Sequence, residues 1–226
     1  KVYLASLGCR LNQSELETMA RRFTAAGHVV VSDPARANVC VLNTCAVTAG
    51  AERKSRRRIQ TLARTNPGAR IAVVGCYATL APEQCADLPG VQWVVPNVDK
   101  DRTVEIADGE FPVSNPSTTG SLLALRTSLQ SPISNLRTRS FVKVQDGCDN
   151  HCTYCIVRLL RGPSCSHPLS EVVAKVQALV EEGCQEAVLT GVNLALARER
   201  VAVVGENGAG KTSLLRSLLG ELEPAA

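Results

Sequence analysis

The chain has 226 residues, enough for one large or two modest domains, and its 45% hydrophobic and 20% charged residues exclude the composition of a disordered protein. No apolar run reaches the roughly 18–20 residues of a membrane span and no charged-then-apolar leader stands at the front, so a cytoplasmic protein without a membrane partner is expected, although Lys1 in place of Met leaves its true start open. The formal charge of +4 does not mark a nucleic-acid binder by itself, and ten cysteines in a chain without an export signal point to metal or cluster ligation rather than to disulfides.

Residues 1–108 alternate short β-branched runs with longer amphipathic stretches, which predicts an α/β domain: an open parallel sheet with flanking helices. The expected strands are Val2 to Ser6, Val29 to Val31, Val39 to Asn43, Ile71 to Val74 and Gln92 to Val95. Leu16, Met19, Ala20 and Phe23 recur at helical spacing before a stop at Gly27. Glu52 to Arg64 forms a second helix, ended by Asn66, Pro67 and Gly68, and a weaker one starts at Pro82.

Residues 109–138 are rich in Ser, Thr, Pro and Asn and lack periodicity, as a linker between domains does. A second domain over 139–194 opens with a strand at Phe141 to Gln145. A cysteine-rich loop, a helix from Leu169 to about Glu182 and a strand at Ala187 to Thr190 complete one strand-helix-strand unit. Residues 195–226 form a separate tail with a strand at Val201 to Val204 and a helix from Lys211 to Leu219.

Cys148, Cys152 and Cys155 form a CxxxCxxC pattern directly after the expected strand. Three thiolates in this span can hold three irons of a cubane cluster and leave the fourth open to an outside ligand. An open iron can take the amino and carboxylate groups of S-adenosylmethionine (SAM) and deliver an electron to its sulfonium, which yields a 5′-deoxyadenosyl radical. Zinc is the alternative, with His151 as a fourth ligand.

Three more cysteines lie just past expected parallel strands: Cys9, Cys45 and Cys76. The carboxyl ends of parallel strands share one edge of a sheet, so residues far apart in sequence converge there. Gly8 and Gly75 would let the backbone turn tightly around a bulky group. The alternative is that these are small buried core residues, which suits Cys40, Cys85 and Cys184 better.

Cys148 to Cys155 followed by Arg161, Gly162 and Pro163 resembles the radical SAM signature of the methylthiotransferases, and Leu7 to Asn12, Asn43 to Thr48 and Gly75 to Ala78 resemble that family's amino-terminal domain. The match covers about residues 1 to 194. The resemblance implies two 4Fe-4S clusters, one on each cysteine triad, with SAM as cofactor, and residues 139–194 as the beginning of a truncated (β/α) barrel. It places Tyr154, Thr190, Gly191, Val192 and Asn193 against SAM. It further implies tRNA as partner, an external electron donor, a sulfur donor whose identity the sequence leaves unknown, and a methylthio group added to C2 of an adenosine. Asn43 to Val47 with Lys54, Ser55 and Arg56 most resembles the branch acting on N6-threonylcarbamoyladenosine beside the anticodon, with the N6-isopentenyladenosine branch as the alternative.

Arg53, Lys54, Arg56, Arg57 and Arg58 make the second helix strongly basic, either as an RNA-phosphate surface or as a solvated face. In the tail, Gly205, Gly208, Gly210, Lys211 and Thr212 fit GxxxxGK[ST] between a strand and a helix, the context of a phosphate-cradling loop. Val203 to Pro224 resembles the start of an ABC-type ATPase domain. That resemblance leaves a nucleotide-binding module as the alternative function, against a foreign piece joined after about Leu194.

Overall fold

The structure, a computed structural model, describes residues 1–108 and 139–191. The chain divides into a unit spanning Lys1–Val192 and a second spanning Asn193–Ala226, and all the described residues belong to the first. The linker expected over 109–138, Val192, Asn193 and the glycine-rich tail lie outside the described residues.

Five strands form one parallel sheet: β1 (Val2–Ser6), β2 (Val30–Val31), β3 (Val39–Thr44), β4 (Arg70–Gly75) and β5 (Val91–Val95), in the order β2-β1-β3-β4-β5. β3 is central and buried along its whole length. Its side chains alternate between faces, as the pleat requires. Cys40 and Leu42 join a core with Ile59, Leu62, Ile71, Val73 and Tyr77. Val39 and Val41 join the opposite core with Met19, Phe23, Ala72, Val74, Trp93 and Ile106. Helices therefore cover both faces, and near-continuous apolar strands follow from burial on two sides.

Helix α1 (Arg10–Ala25) and helix α5 (Thr103–Asp108) supply the second of these cores, while α2 (Ala49–Thr65), α3 (Cys76–Leu80) and α4 (Pro82–Ala86) lie against the first. α1 ends as the glycine predicted: Gly27 takes φ +87°, and His28 N–H returns to the Phe23 carbonyl at 2.9 Å. The Thr48 side chain caps α2 by accepting from Ala51 N–H at 3.1 Å, which extends that helix three residues ahead of its expected start at Glu52. Helix α3 was not foreseen. It starts at Cys76, immediately after β4, and Gly75 at φ +96° makes the turn between them without a side-chain cap.

The later segment contains β6 (Arg139–Lys143), β7 (Gln145–Asp146), α6 (Val157–Arg161), β8 (Cys165–Ser166), α7 (Leu169–Glu181) and β9 (Glu186–Thr190). β6 and β9 pair in parallel around α7, the expected strand-helix-strand unit, and β7 pairs with β8 antiparallel. α1 closes the other edge of β6. The Ser14 hydroxyl donates to the Phe141 carbonyl at 2.8 Å and accepts from Lys143 N–H at 3.0 Å, so two ladder groups of an edge strand find partners on a helix.

Candidate functional site

Strand order reverses direction between β1 and β3, and the crevice outside the carboxyl ends at such a point is where open α/β sheets bind ligands. Cys9 follows β1 and precedes α1, Cys45 follows β3, and Cys76 follows β4. Two side chains staple these ends together. The Asn12 amide donates to the Leu7 carbonyl at 2.7 Å and to the Thr44 carbonyl at 2.9 Å, fastening the turn that carries Cys9 to the end of β3. The Thr44 hydroxyl donates to the Val74 carbonyl at 2.6 Å and accepts from Tyr77 N–H at 3.2 Å, fastening Cys45 to Cys76.

Cys45 and Cys76 are buried, while Cys9 opens to the surface. Burial pushes the Cys45 thiol up, charge on Cys76 and Cys9 pushes the same way, and the nearby Arg161 guanidinium acts against them. The Ser55 hydroxyl on α2 donates to the Cys45 carbonyl at 2.9 Å and accepts from its N–H at 3.3 Å, which satisfies the buried main chain there. Asn97 directs its amide to Cys76 Sγ at 3.6 Å and to the Leu160 carbonyl at 2.7 Å. Gly8, at φ +98°, has no room for a side chain, since a Cβ there would stand 2.5 Å from Cys45 Cβ and 2.8 Å from its sulfur.

Among the described residues, no three or more His, Cys, Asp or Glu side chains are gathered as ligands of a metal ion. In a cubane, however, each thiolate binds its own iron, so the thiols of a cluster site stand wider than those around one ion. Three soft thiol donors on one sheet edge, glycine beside two of them and cations nearby form a donor set that fits an iron-sulfur cluster.

Those cations belong to a buried ion network. Glu15, on α1, receives Lys100 at 2.7 Å, Arg161 at 3.0 Å and Lys143 at 3.4 Å, and Asp146 receives Arg161 at 2.8 Å and Lys143 at 3.0 Å. Burial would raise the Glu15 carboxyl, but Lys100 and Arg161 hold it down at about 2. Asp146 is likewise held at about 2, against burial, by Lys143 and Arg161. Lys100 is lowered by burial despite its bond to Glu15. Arg161 also donates to Asn12 Oδ1 at 2.6 Å. The amides and ions of this layer were not singled out from the sequence as site residues. Asn12 and Asn43, whose amide donates to Glu15 at 3.1 Å, stood inside the quoted motifs, and Arg161 with Gly162 and Pro163 followed another.

The second cysteine set occupies the loop between β7 and α6. Cys148 is partly buried, with its N–H on the Gly162 carbonyl at 3.2 Å, and Cys152 and Cys155 are exposed on a turn closed by Cys155 N–H to the Cys152 carbonyl at 3.1 Å. Gly147 takes φ +70° and has no room for a side chain, since a Cβ there would collide with the Pro163 carbonyl. His151 is exposed and meets Arg158, and Tyr154 is 90% exposed. Thr190 is buried with its hydroxyl on the Val142 carbonyl at 3.4 Å, and the exposed Gly191 takes φ +86° against the Gln145 carbonyl.

Of the cysteines assigned to the core, Cys40 and Cys85 are fully buried, and burial raises their thiols to about 11 and about 12. Cys184 is only partly buried, with its sulfur 3.3 Å from the Glu186 carbonyl, so a core role does not hold for it.

The basic run on α2 separates into two sets. Arg56 bonds Glu52 at 2.7 Å, the Tyr77 hydroxyl at 3.3 Å and Gln84 at 3.3 Å, and Arg58 bonds the Tyr3 hydroxyl at 2.8 Å. Arg53, Lys54 and Arg57 are exposed. No described helix is long and apolar enough to cross a membrane.

Residues 1–96 match the family model described as Uncharacterized protein family UPF0004, and residues 189–226 match the ABC transporter model. A threonylcarbamoyladenosine tRNA methylthiotransferase of Chlamydia pneumoniae is 36% identical over 195 residues, which cover 84% of this chain and 43% of that protein. The Aquifex aeolicus protein of the same name is 34% identical over 86% of this chain and 48% of its own length. A tRNA-2-methylthio-N(6)-dimethylallyladenosine synthase of Thermodesulfovibrio yellowstonii is 28% identical over 85% of this chain and 45% of its own. The chain thus spans less than half the length of these relatives. Through the part that it shares with them, the chain is similar to the tRNA methylthiotransferases.

Proposed function

We propose that this chain carries the two cysteine sets of a cytoplasmic radical SAM methylthiotransferase that adds a methylthio group to C2 of N6-threonylcarbamoyladenosine in tRNA. The observation that carries the proposal is the stapling of three strand ends, each followed by a cysteine, with Arg161 reaching the same edge from the helix that follows the CxxxCxxC loop. Cys9, Cys45 and Cys76 would hold one 4Fe-4S cluster and Cys148, Cys152 and Cys155 the other. Bound there, the clusters and SAM supply the electron, the hydrogen-abstracting radical and the methylated sulfur that the reaction needs. An external reductant and a sulfur donor complete the requirements.

The chain's own residues do the rest. Ser55, Asn12 and Thr44 fix the backbone beside the buried thiols. Tyr154, Thr190 and Gly191 are the described residues proposed to line SAM, and Asn193, also expected there from the resemblance, lies outside the described residues. Arg53, Lys54 and Arg57 offer phosphate contacts that position tRNA without reading its bases. Arg56 and Arg58 instead spend their donors on the protein itself.

The threonylcarbamoyl substrate is favoured because relatives named for it reach 36% identity. The dimethylallyl substrate is the second choice, from relatives at 28% and 33%. Mass spectrometry of tRNA from cells that lack the native enzyme and express this chain tests both. Restoration of the 2-methylthio threonylcarbamoyl nucleoside supports the first reading, restoration of the dimethylallyl product alone reassigns the substrate, and restoration of neither shows that this chain is not competent by itself. The ABC transporter match also supports a nucleotide site at Gly205, Gly208, Gly210, Lys211 and Thr212. ATP binding that is abolished by Lys211→Ala is the outcome this second function requires.

A further inference from the structure

Three cations face two carboxylates in the buried network: Lys100, Lys143 and Arg161 against Glu15 and Asp146. Lys143 and Asp146 are partly exposed, and Asp101 also acts on Lys143. At the buried centre, however, two cations, Lys100 and Arg161, share the single carboxylate of Glu15, so a positive excess lies where charge interactions are strong. Arg161 occupies a distinctive place in the network. Its side chain is only 5% exposed, it bonds both carboxylates, and it donates to Asn12, whose amide staples the turn of Cys9 to the end of β3. It also projects from α6, whose Leu160 packs in the core with Cys76 and whose carbonyl at 160 takes the Asn97 amide that reaches Cys76 Sγ.

We propose that Arg161 is a positioning residue that sets the reduction potential of the cluster held by Cys9, Cys45 and Cys76, by placing the surplus positive charge of the network beside these thiolates. The inference rests on the cluster assignment proposed above. Net charge and hydrogen bonding around the sulfurs are what tune such a potential, and positive charge favours the reduced, more negative form. The geometry links Arg161 to this set directly: the Arg161 guanidinium and the Cys9 thiol both donate to Asn12 Oδ1, at 2.6 and 3.7 Å.

The test uses the full chain with Cys152→Ala, so that the sheet-edge cluster reports alone after anaerobic reconstitution, in a redox titration followed by electron paramagnetic resonance. Arg161→Gln should lower the ratio of reduced to oxidised cluster at fixed potential at least tenfold, a shift of about 59 mV for a one-electron couple. Arg161→Lys, which keeps the charge, should stay close to the parent. Asp146→Asn, which removes a negative charge and leaves Arg161 in place, should shift the midpoint the opposite way and decides the matter even if Arg161→Gln fails to fold. A merely structural role would change cluster content and leave the midpoint alone. An unchanged midpoint in Asp146→Asn, or a large shift in Arg161→Lys, overturns the proposal. Absence of any cluster in the parent refutes the assignment itself and the proposal with it.

Discussion

Cys45 and Cys76 stand at 6% and 2% exposure on the ends of adjacent central strands, whereas Cys152 and Cys155 lie in the open on a turn. The first set has its geometry imposed by the sheet. Main-chain ladders hold the strands, and Asn12, Thr44 and Ser55 hold the residues just beyond them. The second set is anchored at its flanks, where Cys148 and Gly147 press on Gly162 and Pro163, and its exposed cysteines have few protein partners to position them. A buried site on strands is preformed by folding, while a site on a loop gains its order from what binds there. Three ways of breaking that contrast are energetic, one is chemical and one is electrostatic.

The largest effect should come from Glu15→Ala, which leaves Lys100 and Arg161 buried without their shared carboxylate. Breaking a buried ion pair from one side costs about 3–5 kcal/mol, and denaturant unfolding of the metal-free chain should show a loss of that size. A loss below about 1 kcal/mol would mean that the network does not stabilise the sheet edge.

The same carboxylate predicts an acid transition. Its folded value is about 2 against an ordinary 4.5, so its stabilisation is complete above the ordinary value and is lost as pH falls toward 2. Glu15→Gln should flatten the pH dependence of stability over that window, and a slope equal to that of the parent would contradict the assignment.

Glycines separate the two regions further. Gly8→Ala forces both a left-handed backbone and a collision with Cys45, and should cost about 2–4 kcal/mol together with cluster content. Gly162→Ala meets open space and should cost only the strain of a backbone at φ +77° and ψ −165°, about 1–3 kcal/mol, without loss of sheet-edge cluster content. Equal losses in thermal or denaturant unfolding would erase the distinction between a packed edge and a loop.

Alkylation of the metal-free chain, followed peptide by peptide in a mass spectrometer, should label Cys152 and Cys155 well before Cys45 and Cys76. The smallest expected effect lies on α2. Replacing Arg53, Lys54 and Arg57 together by Gln should reduce the slope of log K against log salt for tRNA binding by about 2, while Arg58→Gln, whose donor already serves Tyr3, should leave it nearly unchanged.

The sheet was legible because burial on two faces gives β3 and β4 runs that hardly anything but a central strand carries, as in Val39 to Leu42. The CxxxCxxC loop was legible because its spacing is local. The ion network was not. Glu15 and Asn12 read as the polar side of an amphipathic helix, and their partners Lys100 and Arg161 lie 85 and 146 residues from Glu15. Nothing in a one-dimensional pattern reports such a separation. The basic run shows the same limit at short range. Arg56 and Arg57 are neighbours in sequence, yet a turn of helix sends one to Tyr77 and the other to the surface. Helix α3 escaped notice because the strand passes into it through one glycine, with no polar cap to announce a helix.

Iron and sulfide content after anaerobic reconstitution tests the central claim most directly. The parent chain should take up two clusters' worth of iron, and alanine at Cys9, Cys45 and Cys76 or at Cys148, Cys152 and Cys155 should remove half of it in each case. Iron content that stays at the parental level when either set of three is replaced would contradict the assignment of one cluster to each.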